Sequence, residues 1–131
     1  MPGWLRDDGL RPEEVNSVLG FLRGMAPAAQ QPDSRPQRWA AGDASAGKRT
    51  FEAICAGCHG PQGKGGEGPA LNNKVLLAAA TDAYLAETIS RGRRGTAMSG
   101  FLEPSPVRPA LTRGDVESVV TYLRTFEGGK R

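Results

Sequence analysis

Cys55-Ala56-Gly57-Cys58-His59 holds both cysteines and the only histidine of this 131-residue chain. Two thiols three positions apart, followed at once by an imidazole, form the spacing of a c-type haem attachment site. Each thiol can add to one vinyl group on the same edge of a porphyrin. The next residue then lies beneath the ring, where its imidazole can bind iron as the proximal axial ligand. Competing uses of the cysteines are weak. A redox dithiol needs a βαβ setting, and none is legible nearby. Structural zinc takes four Cys or His ligands, and the chain has three in total. A disulfide between residues three apart would close a very short loop and add little.

The totals fit a bound porphyrin. Hydrophobic residues make up 38% and aromatics 6%, which is thin for a core of this size and leaves apolar bulk for a cofactor to supply. With 18 Gly and 10 Pro, short helices joined by long loops are expected. No apolar run reaches the length of a membrane span. Residues 1–8 lack the basic-then-apolar order of a secretion signal, although covalent haem is installed outside the cytoplasm. The expectation is therefore a periplasmic or otherwise extracytoplasmic protein whose signal was removed or whose true start lies upstream. The net charge of +3 falls entirely within residues 41–131, where 12 Lys and Arg face 9 acids. Haem propionates would offset much of it, which argues against nucleic acid as a partner. The one dense basic run is Arg91-Gly92-Arg93-Arg94. It reads as a solvated turn, a propionate clamp or a docking rim for an acidic partner.

Outward from the pentad, the periodicity predicts four helices and no strands. Residues 13–24 form an amphipathic helix, with Pro12 at its start, Glu13 and Glu14 in the first turn, and Val15, Val18, Leu19 and Leu22 in one stripe. Residues 26–41, rich in Ala, Gln and Pro, read as a linker. Residues 43–54, with Asp43 as N-cap, form the helix that delivers the pentad. Residues 60–80 read as a Gly-rich loop followed by an apolar Val75-Leu76-Leu77 segment. Residues 82–91 form a helix opened by Thr81 or Asp82, with Leu85 and Ile89 facing inward. Residues 113–126 form the last helix, opened by a Thr112–Asp115 capping box. Its buried stripe is Val116, Val119, Val120, Leu123 and Phe126.

A second axial ligand must be a methionine, because there is no second histidine. The candidates are Met1, Met25 and Met98. Met25 lies just past the first helix and borders the linker. Met98 lies in a Gly-flanked loop beside Phe101 and can reach the opposite face of the ring. A thioether ligand favours ferrous iron. If Met98 were instead core filler, the iron would be open, as in a haem sensor.

These pieces together resemble the small class I cytochromes c. The matching residues are Cys55-Ala56-Gly57-Cys58-His59-Gly60, Gly68-Pro69-Ala70-Leu71, Ile89-Ser90-Arg91-Gly92 leading to Met98-Ser99-Gly100-Phe101, and Tyr122-Leu123 in the last helix. The resemblance implies an all-α, haem-wrapping domain over residues 42–127 that carries one covalent haem c. It implies that Pro69 offers its carbonyl to the haem-ligating histidine. It also implies a close crossing of the first and last helices, with Gly47 and Phe51 on one side and Tyr122 and Leu123 on the other. The implied haem contacts are Cys55, Cys58, Pro69, Leu71, Leu85, Ile89, Arg91 and Phe101, with His59 and Met98 on the metal. Ser99 stands where that family commonly has Pro, and the loop 102–111 is long. The implied work is single-electron shuttling between redox partner proteins. The alternative is a domain or subunit of a membrane-associated complex, relaying electrons for a separate catalytic module. Nothing in the sequence supplies a second active site.

The chain also contains a partial repeat. Met1-Pro2-Gly3-Trp4-Leu5 reads like Met98-Ser99-Gly100-Phe101-Leu102. At an offset of 101, Leu10, Val15, Ser17, Val18, Leu22 and Arg23 match Leu111, Val116, Ser118, Val119, Leu123 and Arg124. Residues 1–25 are therefore expected to be the tail of an upstream haem domain, and the parent protein to be di-haem or larger; the alternative is a chance likeness between two amphipathic helices.

Overall fold

The structure is a computed structural model that describes residues 9–25 and 38–128. The chain divides into two units, residues 1–34 and 35–131. Met1 to Leu5, the first half of the repeat, and most of the linker lie outside the described residues.

In the first unit, helix α1 spans Pro12–Gly24. Pro12 needs no hydrogen-bond partner at this position, and its fixed φ suits the first turn. The Glu14 carboxylate accepts the Arg11 N–H at 2.8 Å, satisfying one of the donors a helix start leaves over. None of its residues is buried: Val18, Leu19, Phe21 and Leu22 are all exposed.

The second unit is built of short helices, and α2, α4, α5 and α6 each start with a side-chain cap. Helix α2, Ala44–Thr50, is capped by Asp43, whose carboxylate accepts from the Ser45 N–H at 2.8 Å. It runs into a π turn, Phe51–Cys55, and then into α3, Ala56–His59. Helix α4, Lys74–Ala79, is capped by Asn73. Helix α5, Asp82–Arg91, is capped by Thr81. Helix α6, Arg113–Arg124, starts with the reciprocal Thr112–Asp115 box and ends in a 3-10 turn, Thr125–Glu127. Among the described residues the only bridges are isolated ones, Gly92 with Ser99 and Ser105 with Arg108. The all-α expectation is correct.

Three details differ from the reading of the sequence. The helix expected over 43–54 changes to π geometry at Phe51. The Val75-Leu76-Leu77 segment is a helix, because Asn73 caps a run of good helix formers and Leu77 is buried. The last α-helix stops at Arg124 instead of continuing to 126.

The core forms where α2 crosses α6. A Cβ at Gly47 would overlap the Ser118 carbonyl oxygen, so only glycine lets the two backbones come this close. Beside the crossing, the Phe51 and Tyr122 rings tilt together at 5.5 Å, and Tyr122 meets Phe126 edge-on at 4.9 Å. Leu77, Ala80, Leu85, Ile89, Leu111, Val116, Val119, Val120 and Leu123 join Phe51 and Tyr122 in the buried cluster.

A polar knot closes the far end. Asp82 is buried and receives the Arg124 Nε at 2.7 Å and the N–H groups of Trp39 and Ala40 at 2.6 and 2.7 Å. Arg124 also donates to the Leu77 and Ala80 carbonyls, and Arg38 donates to those carbonyls and to Glu127. Residues 38–40, read from sequence as the end of a linker, are thus fastened to the helical unit.

Candidate functional site

The π turn orients the pentad. In an uninterrupted α-helix, Phe51, Cys55 and Cys58 would share one face, four and then three residues apart, and all would point into the core. The wider turn takes up an extra residue and rotates Cys55 and Cys58 relative to Phe51. Phe51 is fully buried, Cys55 is half-buried against the core, and Cys58 is exposed. Two free thiols are thus presented one turn apart along the rim of the apolar cluster. Burial pushes the Cys55 thiol up to about 11, against the opposing pull of the Arg108 charge.

His59 ends α3 and is buried. Its Nδ1 lies 2.9 Å from the Pro69 carbonyl oxygen. A carbonyl can only accept, so Nδ1 carries the proton and donates. The Nε2 lone pair is then left for a metal. The 60–69 loop closes around this histidine. Gly65 N–H donates to the His59 carbonyl at 2.7 Å, and Gly68 N–H to the Cys58 carbonyl at 2.8 Å. A Cβ at Gly68 would lie 2.9 Å from His59 Nδ1, so a larger residue there would push against the ring.

The Met98 segment is pinned beside the end of α5. Arg93 N–H donates to the Met98 carbonyl at 2.7 Å, and Phe101 N–H donates to the Ile89 carbonyl at 3.1 Å. Leu85 and Ile89 are buried, while Leu71, Met98 and Phe101 are partly buried against the same cluster. The structure therefore gathers Cys55, Leu71, Leu85, Ile89, Met98 and Phe101 on one apolar cluster, with His59 buried at its margin. Arg91 stands apart. Its side chain is exposed and paired with Glu87, one turn back on α5. It borders a surface cleft of about 520 Å³, shared with Ser90, Ser99, Gly100 and Arg108, whose lining includes neither Cys55, His59 nor Met98.

The donor set fits a haem better than a bare ion. No three His, Cys, Asp or Glu side chains converge on a metal-ion site among the described residues. A porphyrin brings its own four nitrogens and needs from the protein only axial donors, two thiols and apolar walls. The residue that sequence reasoning missed is Arg108. It is half-buried in the Pro-rich loop, with its guanidinium 3.9 Å from the centre of the Phe101 ring.

With this geometry in place, comparison with known proteins is decisive. Residues 42–123 match the family described as cytochrome c oxidase, cbb3-type, subunit III. The chain belongs to this family. Among curated relatives, the cbb3-type cytochrome c oxidase subunit FixP of Bradyrhizobium diazoefficiens is 31% identical over 95% of this chain and 39% of its own length. The corresponding subunit CcoP of Rhodobacter capsulatus is 28% identical over 99% of this chain and 42% of its own. Cytochrome c-554(547) of Halothiobacillus neapolitanus is 33% identical over 66% of this chain and all of its own length. The crystal structure of cytochrome cL from the marine methylotroph Methylophaga aminisulfidivorans is similar, with a TM-score of 0.53 and 25% identity over 92% of this chain and 70% of that one. The chain spans about two fifths of the cbb3-type relatives. As a subunit III domain it is a class I cytochrome c domain, a haem c electron-transfer module.

Proposed function

We propose that this subunit III domain carries one haem c, joined through Cys55 and Cys58, with His59 and Met98 as axial ligands. The observation that carries the reading is the His59 Nδ1–H bond to the Pro69 carbonyl, which fixes the tautomer and leaves Nε2 to the iron. The bound haem supplies a one-electron couple. The residues do the rest. Pro69 strengthens His59 as a donor, Met98 favours the ferrous form, and Leu71, Leu85, Ile89 and Phe101 keep water from the ring faces. Exposed Cys58 leaves one thioether edge open to partner proteins.

The domain is a carrier and not itself an enzyme. Its relatives' names place them in a cbb3-type oxidase, and we assign this domain the same work: passing electrons toward the catalytic core of a membrane-associated complex from the periplasmic side. No described helix is long and apolar enough to cross a membrane. Residues 1–25 are the tail of an upstream haem domain. Helices α1 and α6 start at Pro12 and Arg113, the offset of 101 seen in the sequence repeat. Val18 and Leu22 are exposed on α1 where Val119 and Leu123 are buried on α6, as expected of a helix without its own domain.

The test is Met98→Ala in the haem-loaded protein. The weak long-wavelength band that marks iron–thioether bonding should vanish from the ferric spectrum, and the ferrous form should bind carbon monoxide. An unchanged spectrum would remove Met98 from the iron.

A further inference from the structure

The segment that bears Met98 is held from two sides. On the α5 side, Gly92 bridges Ser99 and Phe101 N–H reaches the Ile89 carbonyl. On the other side, Leu111 N–H donates to the Phe101 carbonyl at 2.8 Å, and the side chain that reaches the segment there is Arg108. Its Nη2 donates to the Gly100 carbonyl and, at 3.2 Å, to Ser99 Oγ. Its Nη1 donates to the Glu103 carbonyl at 3.1 Å, and its guanidinium carbon lies 3.9 Å from the Phe101 ring centre. Arg108 is itself fixed by a tight turn, with Ser105 N–H donating to its carbonyl at 3.0 Å. A planar fork with several donors and a face for stacking can hold this segment, and a lysine cannot make the same set of contacts.

Resting on the His59/Met98 reading above, we propose that Arg108 is the positioning residue that keeps the Met98 thioether on the iron. It supplies the rigidity that a proline at position 99 would otherwise give. It acts on the two residues after Met98 and on the ring beside them, and it makes no bond to the iron.

Exogenous imidazole binding to the ferric, haem-loaded protein measures how often Met98 leaves the iron. Apparent affinity scales with the open fraction, and hydrogen bonds from a charged donor are strong enough to alter that fraction by about tenfold or more. Arg108→Gln and Arg108→Lys should both raise imidazole affinity by about tenfold or more and weaken the long-wavelength band. Ser99→Ala, which removes one acceptor on the surface, should act in the same direction by a smaller factor. Arg113→Gln removes an equal charge from an exposed position and should change neither readout. Wild-type affinity in Arg108→Lys and Ser99→Ala, with Met98→Ala binding imidazole freely, would overturn the role of Arg108 alone. Wild-type behaviour in Met98→Ala would overturn the axial reading and this inference with it.

Discussion

At the scale of single residues, the pentad was legible because haem attachment admits almost no freedom in residue type or spacing. Both thiols and the imidazole must come within five positions. The resemblance also anticipated the Pro69 carbonyl on His59. Arg108 was hidden because its partners are backbone carbonyls and a hydroxyl, which leave no pattern in a sequence. The same holds for the space at Gly68, where the constraint is the 2.9 Å approach a Cβ would make to His59 Nδ1. Gly68→Ala should turn the imidazole and lengthen its bond to Pro69. A weaker donor favours ferric iron less, so the reduction potential should rise, by about 40 mV if about 1 kcal/mol of hydrogen bonding is lost. Potentiometric titration measures this, and a fall in potential would contradict the assigned role of the Pro69 carbonyl.

At the scale of elements, caps and stripes located α1, α5 and α6 within a residue or two. Helix α4 escaped because six residues are too few to show a period, although Asn73 ahead of Lys74-Val75-Leu76-Leu77 was a start signal. The π turn left no signature. The crossing of α2 on α6 depends on one missing methyl group, so Gly47→Ala should cost about 3 kcal/mol in denaturant unfolding, with the m-value unchanged. A second dependence lies in the knot joining α5, α6 and residues 38–40. Burial alone would raise the Asp82 pKa, but the Ala40 N–H, the Arg124 guanidinium and the Trp39 N–H together hold it below the ordinary aspartate value. A lowered folded pKa contributes stability that is fully present above the unfolded value of about 3.9 and is lost as pH falls through the folded one. Asp82→Asn leaves buried Arg124 with only the longer 3.4 Å contact to Glu127 as counter-charge and should cost about 3 kcal/mol at neutral pH. The difference from wild type should shrink on acidification below about pH 4, as followed by acid and urea unfolding. A constant difference across that range would show that the charge of Asp82 is not what matters.

At the scale of the whole molecule, thin apolar content and abundant glycine pointed to a domain finished by its cofactor, and the short capped helices around one apolar cluster agree. Sequence alone named the class of protein and left its setting open between a free shuttle and a relay subunit. The proposed relay role rests on relatives named as subunits of a cbb3-type oxidase, of which this chain spans about two fifths. The matched helix starts at an offset of 101 are what the proposed upstream domain rests on. All of this depends on two thioether bonds. Intact mass under denaturing conditions, after expression with haem-maturation machinery, tests them most directly. The account predicts the polypeptide mass plus one haem for this chain, and loss of the covalent adduct when Cys55 and Cys58 are both changed to Ala. A mass equal to the bare polypeptide, or haem that dissociates on unfolding, would contradict it.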